Sequence, residues 1–157
     1  MSRFAMAVLA LALAGCGSAS RKPAGDDRGM LLSVDSTKSL AQLQEDIPNA
    51  CAAHRFGVVA TMDLKAQLKK KGVEYDGECL IFEVCNPQKA RQALDACPEV
   101  STALPCRISV YRTKDGKTRL STIRPTMLTD LYKAEGLRET GVEVEAALAA
   151  ILEQAAK

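Results

Sequence analysis

Seven residues constrain the fold more than any other stretch of this chain. In Cys79-Leu-Ile-Phe-Glu-Val-Cys85 the large apolar side chains Leu80, Phe82 and Val84 alternate with Cys79, Ile81, Glu83 and Cys85. Period-two alternation marks a strand with one face against a core and the other more open. Asn86-Pro87 ends the run, and Pro87 suits the first position of a helix over 88–96, where no N–H is needed. The expected partner is Leu104-Pro-Cys-Arg-Ile-Ser-Val-Tyr111, in which Ile108 and Val110 fall on the core face and Arg107, Ser109 and Tyr111 on the other.

Around this pair the chain supplies the rest of an α+β domain over 30–157. Residues 30–34 are short, apolar and β-branched at the end, as in a strand. Ser39 and Gln42 stand in capping-box spacing ahead of a helix with Leu40, Leu43, Ile47, Ala50, Cys51 and His54 on one face. Pro48 should kink that helix, because it cannot donate to the carbonyl four residues back. A second strand is expected over 56–62. Asp63 caps a short helix over 64–71 that Gly72 ends. Residues 98–104 read as a loop. Lys114-Asp-Gly-Lys117 joins strands Cys106–Arg112 and Thr118–Ile123 as a hairpin, since Asp-Gly tolerates positive φ. Pro125 stops the second of these. Residues 127–136 look helical with Leu128, Leu131 and Tyr132 on one side, and 142–155 form a terminal helix striped by Val144, Leu148, Ile151 and Leu152. The order predicts one mostly antiparallel sheet of about five strands with two long helices on one face.

His54-Arg-Phe-Gly-Val, Lys71-Gly-Val, Phe82-Glu-Val-Cys-Asn-Pro, Leu104-Pro-Cys-Arg-Ile-Ser-Val-Tyr and Ile123-Arg-Pro-Thr together resemble the domain of unknown function 302 family, from residue 30 to about 151. The resemblance implies a TATA-binding-protein-like or helix-grip sheet. It brings no established activity, and no catalytic residue carries over.

Alternation places Glu83, Cys85, Arg107, Ser109 and Tyr111 on one sheet face, a polar patch with a thiol at its rim. These five are the candidate ligand-binding residues; Glu83 and Arg107 alone could equally be a solvated cross-strand pair. An Arg beside Cys85 would favour thiolate. Cys85 and Cys106 form the candidate redox or disulfide pair, although plain alternation puts Cys106 on the core face and Cys85 opposite. Cys51 reads as a buried apolar residue. His54, the single histidine, reads as packed or bonded at a helix end rather than as a ligand. No Cys-x-x-Cys or His-x-x-x-His spacing points to a metal, and no cofactor or catalytic residue is expected. The run Lys65, Lys69, Lys70 and Lys71 reads as a solvated face at a helix C-terminus.

The first residues carry an address. Arg3 precedes an apolar run over 4–14 that is too short to span a bilayer, and Leu13-Ala14-Gly15-Cys16 resembles the lipobox of bacterial lipoproteins. The expectation is a signal peptide over 1–15, an acylated Cys16 and a flexible tether to residue 29. Gly17 in place of an aspartate favours the outer membrane over inner-membrane retention, with the domain facing the periplasm. Net charge is only +2 and Trp is absent, so a stacking platform for nucleic acid is poorly supplied. The expected partners are the membrane, through the acyl chains, and a small molecule, an envelope protein or a second copy of the chain. The favoured function is a non-enzymatic binding module; the alternative is a thiol-disulfide redox or soft-metal protein using Cys85 and Cys106.

Overall fold

The computed structural model describes residues 29–157 apart from residue 135. The expected signal peptide, Cys16 and the tether up to residue 28 lie outside the described residues. Five strands, β1 (Leu31–Ser36), β2 (Gly57–Asp63), β3 (Cys79–Cys85), β4 (Cys106–Arg112) and β5 (Thr118–Ile123), form one sheet in the order β1-β5-β4-β3-β2. Every neighbouring pair is antiparallel. The helices are α1 (Leu40–Ala53), α2 (Leu64–Lys70), α3 (Pro87–Ala96), α4 (Pro125–Tyr132) and α5 (Leu137–Ala156). A 3₁₀ turn over Pro98–Ala103 occupies most of the expected loop.

Local chemistry sets the helix starts. Ser39 Oγ accepts from the Gln42 N–H at 3.3 Å while Gln42 Oε1 accepts from the Ser39 N–H at 2.9 Å, the reciprocal capping box. Asp63 Oδ1 accepts from the Ala66 N–H at 2.9 Å. Asn86 Oδ1 takes the Gln88 and Lys89 N–H groups, both at 3.1 Å, and Pro87 fills the first turn of α3. In the β4–β5 turn Gly116 sits at φ +80, which a side chain would resist.

The long helices α1 and α5 lie on one face of the sheet. Leu43, Ile47, Ala50 and Cys51 of α1 pack with Leu148, Ile151 and Leu152 of α5 against Phe82, Val84, Ile108, Val110 and Leu120. Loose ends are tied by the end of β1 and the loop after it. Ser36 Oγ donates to the Ala156 carbonyl at 2.8 Å and Lys38 Nζ to the Ala155 carbonyl at 3.0 Å, placing a cation at the negative end of α5. A smaller cluster of Ala93, Cys97, Val100 and Leu137 joins α3, the 3₁₀ turn and the start of α5.

Several boundaries depart from expectation. Helix α1 runs through Pro48 as a single span, Leu40–Ala53. The terminal helix begins at Leu137, ahead of the expected 142, because Leu137 has the second cluster to pack against. The shorter α4 starts at Pro125 and is turned so that Pro125 and Thr129 are buried and Leu128 and Tyr132 partly so, while Leu131 is 70% exposed. Its orientation is set by α5. Glu145 accepts the Thr126 N–H at 3.2 Å, the Thr126 hydroxyl at 2.5 Å and Arg124 Nη1 at 2.7 Å, so a side chain from α5 caps α4. Burial opposes ionisation of this carboxyl, but the bonds from Thr126 and Arg124 prevail and hold it below the usual carboxylate value.

Candidate functional site

The register of β3, β4 and β5 brings the open-face residues into rows. Glu83 stands opposite Arg107, Ile81 opposite Ser109, and Cys79 opposite Tyr111. Ser109 and Tyr111 in turn face Ser121 and Arg119. Glu83, Arg107, Ser109 and Tyr111 therefore share a face whose polar groups are largely engaged with one another. Cys85 ends β3 beyond the stretch paired with β4 and lines a cavity with Val84 and Cys106. Glu83 Oε1 lies 3.5 Å from Arg107 Nη2, with Arg107 well exposed. Tyr111 Oη is 3.2 Å from Ser121 Oγ, which is 2.8 Å from Ser33 Oγ, and both serines are buried. Arg119 grips Asp35 through two bonds, Nε to Oδ1 at 2.6 Å and Nη2 to Oδ2 at 3.1 Å. The Arg119 hydrogen bond holds the Asp35 carboxyl below its ordinary value.

The five described cysteines, Cys51, Cys79, Cys85, Cys97 and Cys106, are all free thiols, so the expected Cys85–Cys106 disulfide is not formed. The pleat keeps its alternation up to the prolines: Cys106 stands opposite Val84, on the core side, and not opposite Cys85. The expectation of a thiolate at Cys85 also fails. Burial pushes the Cys85 thiol up, and burial aided by neighbouring Cys85 pushes Cys106 up to about 11. Arg107 points its charge to Glu83 instead. Cys51 is fully buried in the α1 stripe, and burial raises it to about 11. His54 closes α1, and its Nε2 lies 3.1 Å from Gln154 Oε1 on α5. Among the described residues no group of three or more His, Cys, Asp and Glu side chains could hold a metal ion.

Two cavities lie at the end of the sheet where β3 finishes and β4 begins. An inner cavity of about 60 Å³ has Val84, Cys85 and Cys106 on the sheet side and Ala93, Leu137 and Val144 on the helix side. It occupies the seam between the two hydrophobic clusters. A wider outer cavity of about 340 Å³ runs between the Leu104-Pro105 segment and α4. Leu104, Cys106, Pro125 and Leu128 line both cavities, so the two adjoin. Arg107, Thr102, Thr122 and Tyr132 add polar groups to the outer wall. Thr102 Oγ1 and Tyr132 Oη are hydrogen-bonded at 2.6 Å, tying the 3₁₀ turn to α4 across it. A Lys89–Glu143 ion pair links α3 to α5 beside the inner cavity.

Of the five open-face candidates, Cys85 lines the inner cavity and Arg107 the outer, whereas Glu83, Ser109 and Tyr111 line neither. The cavity residues Ala93, Leu104, Pro125, Leu128 and Val144 were unmarked by sequence chemistry, being apolar and periodic like any core position. One signal was present: small residues at Ala90 and Ala93 leave room where α3 faces the sheet end.

The sequence matches the family described as Domain of unknown function DUF302 over residues 32–155. Among solved structures, the crystal structure of an uncharacterized conserved DUF302 protein from Bacillus stearothermophilus is similar, with 30% identity and a TM-score of 0.75. The match covers 80% of this chain and 97% of that one. No curated protein matches.

Proposed function

The chain belongs to the DUF302 family, and from that premise we propose that it is a binding module of the bacterial envelope, held to the membrane by acyl chains on Cys16 and taking a small, largely apolar ligand in the adjoining cavities. The lipobox-like Leu13-Ala14-Gly15-Cys16 supports the anchor, and Gly17 supports the outer membrane. The single observation that carries the binding reading is the pair of cavities sharing Leu104, Cys106, Pro125 and Leu128, apolar within and polar at the outer wall. Apolar walls with a few placed polar groups are the usual make-up of small-molecule sites, and about 340 Å³ falls within their usual range. Binding without catalysis is favoured by the state of the two thiols. With both pushed above their ordinary values they stay protonated at neutral pH and are weak nucleophiles.

Nile red serves as the test probe. The protein should bind it saturably, one per chain, and Ala93→Phe, which fills the inner cavity, should weaken binding at least about tenfold, the ~1.4 kcal/mol expected from blocking part of an apolar site. Circular dichroism confirms that the variant folds. Unchanged binding by a folded Ala93→Phe protein refutes the site. Serine at both Cys85 and Cys106 should leave Nile red binding within a few-fold of the parent; its loss would favour thiol chemistry.

A further inference from the structure

Four large apolar side chains remain in solvent at one corner of the domain. Met30, Ile123, Met127 and Leu131 are exposed by 38%, 55%, 39% and 70%. Met127 and Leu131 are four residues apart on α4 and share a helix face. Ile123 and Leu131 both border the outer cavity. Leu31 pairs with Ile123 in the sheet, and the Met30 carbonyl accepts the Arg124 N–H at 2.9 Å. The chain coming from Cys16 therefore enters the domain at this same corner.

We propose that this corner is a membrane-docking surface, seated in the interfacial layer of the phospholipid bilayer that holds the Cys16 acyl chains. The inference rests on the lipid-anchor reading given above. Single exposed apolar side chains are ordinary on any protein surface. Four of them lie beside the point where the chain from Cys16 enters the domain. Residues 16–30 can extend about 50 Å, so the anchor alone would leave the domain free to turn any side to the membrane. Tethering also keeps the local concentration of bilayer surface high, so a patch too small to bind vesicles by itself can still hold the domain down. Isoleucine, leucine and methionine on one surface suit burial at the headgroup–acyl boundary. In this pose the outer-cavity residues Ile123 and Leu131 face lipid, and an apolar ligand reaches the cavity from the bilayer without crossing water.

The chain contains no Trp, so single-Trp variants of the full lipidated protein report directly. Leu131→Trp probes the corner. Lys114→Trp, in the β4–β5 turn about 20 Å along β5 from Ile123, is the control. Both are reconstituted into vesicles of phosphatidylethanolamine and phosphatidylglycerol carrying brominated acyl chains. Docking predicts severalfold stronger quenching, with a blue shift, for Leu131→Trp than for Lys114→Trp. Weak, equal quenching of both while the protein stays with the vesicles overturns docking and leaves the anchor standing. Protein that does not stay with the vesicles overturns the anchor and docking with it. A blue-shifted Leu131→Trp that bromine does not quench, in a protein of doubled mass, gives the corner to a second copy and overturns the proposal.

Discussion

At the scale of single residues the thiols make the sharpest statements. Cys51 and Cys106 are both pushed up to about 11 by burial, so they should resist alkylation at neutral pH. Iodoacetamide labelling followed by mass spectrometry should show Cys106 reacting far more slowly than an ordinary thiol at pH 7.5, with the rate climbing as pH approaches 11. Rapid, complete labelling at neutral pH would show an accessible thiolate instead. A raised thiol value also has a consequence for stability. Unfolded chains ionise near the ordinary value of 9.0, so the Cys51 contribution is intact below that and is lost as pH rises toward about 11. Between those limits the wild type should lose ~2–3 kcal/mol more than Cys51→Ala does, measured by urea unfolding. The Glu83–Arg107 pair matters less. With Arg107 well exposed, Glu83→Ala should cost under about 1 kcal/mol and leave Nile red binding unchanged, since Glu83 lines neither cavity.

Among the elements, α4 is the one whose position decides the site, since it walls the outer cavity through Leu128, Leu131 and Tyr132. Two features hold it. The Glu145 cap is the first, and removing it by Glu145→Ala should cost ~1–3 kcal/mol, because half-buried donors at the start of α4 lose a charged acceptor. The carboxyl lies below its ordinary 4.5. Its contribution is therefore present above about pH 4.5 and fades as pH falls through the lower folded-state value, an acid sensitivity that Glu145→Gln should remove. Close packing is the second. A Cβ at Gly141 would sit 2.6 Å from Thr129 Cγ2. Gly141→Ala should thus be destabilising by roughly 1 kcal/mol or more, despite the better helix propensity of alanine. Thr129→Ser removes that methyl while keeping the hydroxyl bond to the Thr126 carbonyl, so it should rescue the double variant. A stabilised single Gly141→Ala variant would mean that α4 is loosely held.

For the molecule as a whole, the sheet and its two long helices were legible because each rests on local rules. Leu80, Phe82 and Val84 alternate, Ser39 and Gln42 cap, Asp-Gly turns, and Val144 to Leu152 repeat at helical spacing. On α4 only Leu131 departs from the expected apolar side, since Leu128 and Tyr132 are partly buried. The sequence does not reveal that Glu145 and Gly141, on another helix, set how far the helix turns. The cavities were illegible for a related reason. They arise where α3, the 3₁₀ turn, α4 and α5 meet the end of the sheet, and the apolar residues that line them look like core until that meeting is seen. The proposed lipidation of Cys16 belongs to this scale too. Labelled palmitate should be incorporated into the wild type and not into Cys16→Ala, and globomycin should hold the wild type as a larger acylated precursor; equal labelling of both proteins, or none of the wild type, would remove the anchor. The central claim is that ligands enter at the sheet end and not on the open polar face. Methyl-resolved NMR during a Nile red titration separates the two most directly. The account predicts shifts at Leu104, Leu128, Leu137 and Val144 with Met62 and Ile81 unmoved; shifts at Met62 and Ile81 with the cavity methyls still would contradict it.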